Sequence, residues 1–155
     1  MKTQGFTLIE LCISLALLVI LMSVAVPSFQ QYLAHKRQQT YLYTLEHTLT
    51  FAHLYSLQHQ TTVYLCPSEN QKTCAQDWTK GGMVFSEQTP IATFPAIAPG
   101  ETLTVRLFPN ANQVKFLPYG LATQSSGSFA LYDPTTKTTM TLFLSNTGRI
   151  RIASS

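Results

Sequence analysis

Charge is scarce in this chain. Asp, Glu, Lys and Arg make up 11% of its 155 residues, and the scarcity is concentrated. From Leu11 to His35 no residue carries a formal charge, histidine taken as neutral. That stretch exceeds the ~20 apolar residues a helix needs to cross a bilayer core, so the remainder must be a domain held beside a membrane. Catalytic signatures are missing as well. The chain has no His-Glu-x-x-His, no Gly-x-Ser-x-Gly and no phosphate-cradling glycine loop. His47, His53 and His59 recur every six residues, each ~120° round a helix from the last, so the four histidines, His35 included, do not gather on one face. The acids are scattered. No enzyme, no metal site and no cofactor is expected. Proline and glycine are absent between Ser28 and Gln60, which leaves a second long helical stretch uninterrupted. No segment repeats at a fixed period.

What is present begins with a lone carboxylate, Glu10, at the mouth of the apolar run. A charge near the centre of a membrane helix costs ~2.5–3.5 kcal/mol, less toward its edge, and usually marks a partner. Beyond the run, Leu42, Leu45, Leu49 and Ala52 follow helical 3-4-3 spacing, flanked by Tyr41, Thr48 and Tyr55 at sevens. Phe51, Leu54 and Leu57 are expected to widen that face. A single helix from residue 6 to about 58 follows, its first half in lipid and its second half under a sheet.

Strands are expected next. Residues 61–66 alternate around Val63 and Leu65, and 82–86 form a short apolar run. The stretch 89–100 holds Pro90, Pro95 and Pro99 and reads as a loop or an interrupted edge. Residues 102–108 put Leu103, Val105 and Leu107 inward and Arg106 outward. A turn at 109–112 leads to 113–117, with Lys115 outward, an apparent hairpin. Residues 125–128 read as a loop of small residues. Phe129 and Leu131 alternate before a turn at Asp133-Pro134. Met140, Leu142 and Leu144 alternate up to a turn at 146–148, and Ile150 and Ile152 alternate after it. The fold class is α+β: one long N-terminal helix packed on an antiparallel β domain.

The chain has three cysteines. Cys12 lies in the apolar run. Cys66 and Cys74 flank a polar loop, and in an oxidising compartment they would close it as a disulfide, worth roughly 2–4 kcal/mol on the chain-entropy view. A zinc reading lacks Cys or His partners at ligand spacing.

Gly5-Phe6-Thr7-Leu8-Ile9-Glu10, followed by the long apolar helix, resembles the class III leader of type IV pilins and type II secretion pseudopilins. The resemblance implies a leader of residues 1–5, cut after Gly5 by a prepilin peptidase that N-methylates Phe6. It implies a membrane-spanning and filament-core helix over 6–28, an amphipathic continuation over 29–60 and a periplasmic β-rich domain over 61–155. It also implies that Glu10 pairs with the N-terminus of a neighbouring pilin, and that the protein sits in the inner membrane as a single-pass subunit before entering a filament. Pro27 falls where pilin helices commonly kink. An ordinary signal peptide cut after Ala25, behind Ser23-Val24-Ala25, would release a secreted β domain but leaves Glu10 without a role.

The tail carries the remaining signal. Residues 29–101 have a net charge of −1, while 102–155 have +4, so the basic character belongs to the C-terminal half, where a polyanion could be met. In a terminal strand Arg149 and Arg151 share one face, ~7 Å apart, and two guanidiniums so placed suit phosphate. Arg106 and Lys115 are expected to extend the patch. The alternative is that these arginines merely keep an edge strand soluble. Gly148-Arg149-Ile150-Arg151 resembles the Gly-Arg-x-Arg motif of FimT-type minor pilins, in the FimT/GspH subgroup, which bind DNA during natural transformation. No aromatic adjoins the motif in sequence, so backbone contacts with double-stranded DNA are expected, without sequence preference. The rival expectation is a GspH-type minor pseudopilin of a type II secretion system that is structural and binds no nucleic acid.

Overall fold

The computed structural model describes residues 7–109, 112–122 and 125–154. The expected processing site at Gly5 and Phe6 lies outside them, as do residues 110–111 of the expected turn.

Helix α1 runs from Leu8 to His59, close to the expected bounds. At ~1.5 Å per residue it is nearly 80 Å long. A capping box starts it. The Glu10 amide donates to Thr7 Oγ1 at 3.4 Å, and Glu10 Oε2 accepts from the Thr7 amide at 3.4 Å, which satisfies two donors that a helix start leaves orphaned. Pro27 is accommodated without a break, although it removes one rung of the hydrogen-bond ladder. The first half is long and apolar enough to cross a membrane, and none of its most apolar window is buried by the rest of the protein. Cys12 is exposed there and unbridged. Gln60, in the left-handed conformation, ends the helix.

Among the described residues, eight strands form two antiparallel sheets. Strands β1 (Val63–Pro67), β2 (Gly82–Ser86), β3 (Thr89–Phe94) and β5 (Val114–Phe116) make one, in the order β3-β2-β1-β5. Strands β4 (Thr102–Pro109), β6 (Ser125–Asp133), β7 (Thr138–Leu144) and β8 (Ile150–Ser154) make the other, in the order β4-β6-β7-β8. The proline-rich stretch is an edge strand through Phe94, as its missing amide donors require. The second half of α1 and the inner faces of both sheets share one core. Leu42, Leu45, Leu49 and Ala52 meet Val63, Leu65, Val84, Val114 and Phe116 from the first sheet and Phe129, Leu131, Leu142 and Leu144 from the second. Trp78, on a short 3-10 turn, stacks on Phe94 and meets Phe129 edge-on. Gln38 is a buried polar tie. Its Nε2 donates to the Leu131 carbonyl at 2.7 Å and the Thr138 carbonyl at 3.1 Å, and Thr138 Oγ1 donates to its Oε1. The helix is thereby pinned to β6 and to the start of β7.

Three expectations need correction. Strands β4 and β5 do not form a hairpin. β4 pairs β6 from Thr102↔Tyr132 to Pro109↔Ser125, whereas β5 pairs β1 in the other sheet. Alternation in each strand is compatible with either partner, and the long β6 offers β4 eight paired positions. Residues 125–128 are the start of β6, not a loop. Their small size suits a tight crossing, because a Cβ on Gly127 would overlap the Arg106 carbonyl oxygen. Finally, Phe51, Leu54 and Leu57 do not widen the buried face of α1 but are exposed. The sheets cover a stripe from Ala34 to Ser56 on one side of the helix and reach no further round it.

Candidate functional site

The site is the outer face of the sheet β4-β6-β7-β8, and it starts with the turn that launches its last strand. Residues Ser145–Arg149 close the β7–β8 hairpin. The Gly148 amide donates to the Ser145 carbonyl at 3.0 Å, and the Ser145 amide donates to the Arg149 carbonyl at 3.0 Å. The Arg149 amide also reaches Ser145 Oγ at 3.2 Å. Gly148 sits at φ +78, and a Cβ there would press on the Gly120 carbonyl and the His53 ring, each at 2.9 Å. A three-residue hairpin loop of this kind calls for a left-handed residue, and the close approach also excludes a side chain. Gly148 is therefore buried and sets where Arg149 emerges. His53, stacked on Phe116 at 5.5 Å, forms the floor beneath it.

From that turn β8 alternates. Ile150 and Ile152 pack against the core, while Arg149 and Arg151 are exposed. The register then places a third arginine. Arg106 pairs with Ser128, Ser128 with Phe143, and Phe143 with Arg151. Paired residues in an antiparallel sheet point to the same side. Arg106, Ser128, Phe143 and Arg151 thus form one row across four strands, roughly 14 Å end to end at ~4.8 Å per strand. One pleat along, Phe108 pairs with Ser126, and Arg149 stands near Ser145. The positions in the other direction are Thr104, Ala130, Thr141 and Ala153, then Thr102, Tyr132 and Thr139. No carboxylate occurs among these outward positions. Phe143, Ser145, Thr147, Arg149 and Arg151, with Gly127, line an open groove of about 410 Å³.

Of the expected patch, Arg106, Arg149 and Arg151 come together. Lys115 does not join them. It lies on β5, with Nζ 5.6 Å from the centre of the Tyr64 ring, and Tyr64 stacks on Phe85 at 5.2 Å. Two residues of this face were missed by sequence reasoning, Phe143 and Phe108, 48% and 75% exposed. Their signal was parity. Each stands at an outward position of an alternating strand, where a large apolar side chain has no core to enter.

Elsewhere, Cys66 and Cys74 are joined by a disulfide with Cα atoms 5.6 Å apart. Glu101, at the mouth of β4, has its carboxyl pushed above the usual range, chiefly by burial. The Asp133 charge adds to the rise, and a backbone hydrogen bond at Ala98 and the charge on Arg37 oppose it. Burial likewise raises the Tyr41 hydroxyl, with the charge on Glu101 adding to it. Among the described residues no group of three or more His, Cys, Asp or Glu side chains could hold a metal.

A long helix whose first half is of membrane length, capped at its start and packed at its far half under antiparallel sheets, resembles the architecture of the pilins and pseudopilins. The fold matches a crystal structure of the type IV minor pilin FimU from Pseudomonas aeruginosa with a TM-score of 0.60 at 16% identity, covering 77% of this chain and 90% of that one. Residues 1–26 match the prokaryotic N-terminal methylation motif. Residues 44–148, more than half of the chain, match the family described as type II transport protein GspH, and the chain belongs to that family. The match ends at Gly148, so Arg149 and Arg151 lie just beyond it. No curated protein matches the chain.

Proposed function

We propose that this chain is a minor type IV pilin that enters a pilus and holds extracellular DNA, without sequence preference, for uptake in natural transformation. The observation that carries the reading is the convergence of Arg106, Arg149 and Arg151 on one carboxylate-free sheet face. Guanidiniums fixed on a sheet suit bidentate phosphate contacts, and such contacts position a duplex without reading its bases. The protein reaches this state through a prepilin peptidase cut between Gly5 and Phe6. Glu10 then exchanges its own helix cap for the free amine of a neighbouring subunit in the filament.

The test is a salt series on the full chain in detergent micelles, with labelled duplexes of unrelated sequence. Three neutralised phosphates give a slope of log K against log salt near −2.7. All duplexes should behave alike. Absence of salt-dependent binding would favour the second reading, a GspH-type minor pseudopilin whose role is assembly of a type II secretion filament. That reading draws its support from the family match over residues 44–148.

A further inference from the structure

Phosphate contacts leave two features of the arginine face unused, Phe143 and Phe108. Single exposed apolar residues are ordinary on protein surfaces. These two are not randomly placed. Phe143 stands in the row between Arg106 and Arg151, with Ser128 as its other cross-strand neighbour. Phe108 lies one pleat along from Arg106 on the same side, paired with Ser126. The small serines leave both rings standing above their surroundings, and the groove of about 410 Å³ opens beside Phe143 with Arg149 and Arg151 on its rim. By strand spacing and rise the two phenylalanines are roughly 12 Å apart, too far to sandwich one base between them.

A duplex hides the faces of its bases, so neither ring could gain from it. A single strand exposes every base face. Aromatic rings on a sheet surface, interleaved with cations that track the backbone, are the general means by which proteins hold unpaired strands. From this we infer that the outer face of β4-β6-β7-β8 holds single-stranded DNA. One base stacks on Phe143 in the groove, with the phosphate on its β8 side held by Arg149 and Arg151, and a second base of the same strand stacks on Phe108, with the phosphate beside it on Arg106. The inference rests on the proposed DNA-binding role of this face and names the form of DNA it favours. Stacking carries no base-specific hydrogen bonds, so the preference is for strand form over sequence.

The experiment measures anisotropy of labelled oligothymidine, and of the same strand annealed to its complement, on the full chain in detergent micelles. The parent should bind the single strand more tightly than the duplex. Phe143→Leu should lower the ratio of single-strand to duplex affinity by about tenfold, within the range stacking contributes per base, and Phe143→Tyr should restore it. Ultraviolet crosslinking to oligothymidine should place an adduct on the peptide bearing Phe143. A Phe143→Leu ratio equal to the parent's, with no adduct on that peptide, overturns the inference while salt-dependent duplex binding upholds the DNA reading. If Arg149→Gln with Arg151→Gln alters neither form of DNA, the underlying reading fails as well. If Phe143→Leu blocks filament incorporation but leaves the ratio unchanged, the ring is a subunit contact and the inference is wrong.

Discussion

The two faces of the sheet β4-β6-β7-β8 are built from alternate residues of the same strands, yet they answer to different physics. Inward stand Leu103, Leu131 and Met140, then Val105, Phe129, Leu142 and Ile152, then Leu107, Gly127, Leu144 and Ile150. Outward stand three arginines, two phenylalanines, a tyrosine and small or hydroxyl residues. The inner rows are held by burial at roughly 25 cal/mol per Å², and this alone suffices to specify the register. A slip of one residue would turn every arginine inward. The outer rows inherit an exact alignment they do nothing to maintain, which frees them to carry a binding surface.

That division can be broken most severely from inside. Phe129 is fully buried and meets Trp78. Phe129→Ala should cost about 3–5 kcal/mol, seen as a large fall in Tm, while the salt slope of the proposed DNA binding stays that of the parent. A steeper dependence on sequence or salt in this variant would mean the two faces are coupled.

Gly148 joins the faces, so its replacement should disturb both. Gly148→Val places a β-branched residue at φ +78 against Gly120 and His53. A loss of about 1–3 kcal/mol in stability is expected, and the proposed DNA binding should weaken because Arg149 is displaced. Normal stability in thermal unfolding would show that the hairpin has another conformation open to it.

From outside the effect should fall on binding alone. Arg149→Gln with Arg151→Gln should flatten the salt slope by about 1.8 and weaken every duplex alike. Tm should stay close to the parent's because Ile150 and Ile152 still pack. Lys115→Gln sharpens the comparison. Lys115 lies on the other sheet over Tyr64, and its neutralisation should leave the slope within error. A change as large as that from Arg151→Gln would mean the binding surface wraps onto the first sheet.

The smallest effect is expected at Glu101. Its carboxyl titrates above the ordinary range because burial disfavours the charged form. The penalty is absent below the unfolded pKa and complete above the folded one, so this group's contribution to stability declines as pH rises through that window. Glu101→Gln should raise Tm slightly at neutral pH and not at all at acidic pH. Glu101 is only partly buried, so solvent screening keeps the gain small. A gain of equal size at acidic pH would place its origin elsewhere than in ionisation.

Local rules made much of the molecule legible in its residues. An uncharged apolar run, an absence of proline and glycine, and 3-4-3 leucine spacing determine one long helix with Leu42, Leu45 and Leu49 buried, because helical periodicity depends only on neighbours in sequence. Alternation determines the strands and puts Arg149 and Arg151 outward, since side chains on a strand change face at every residue. Cys66 and Cys74, eight positions apart, close their loop on the same local terms. Tertiary structure alone decided which strands pair, because pairing is a competition among distant segments with similar alternation. It chose β6 rather than β5 for β4, brought Arg106 into one row with Phe143 and Arg151, and left Lys115 on another sheet. It also drew Gln38 inward to Leu131 and Thr138 and left Phe51, Leu54 and Leu57 outside. A helix's own pattern marks which side is apolar, but the width of the buried stripe is the width of the sheets laid against it.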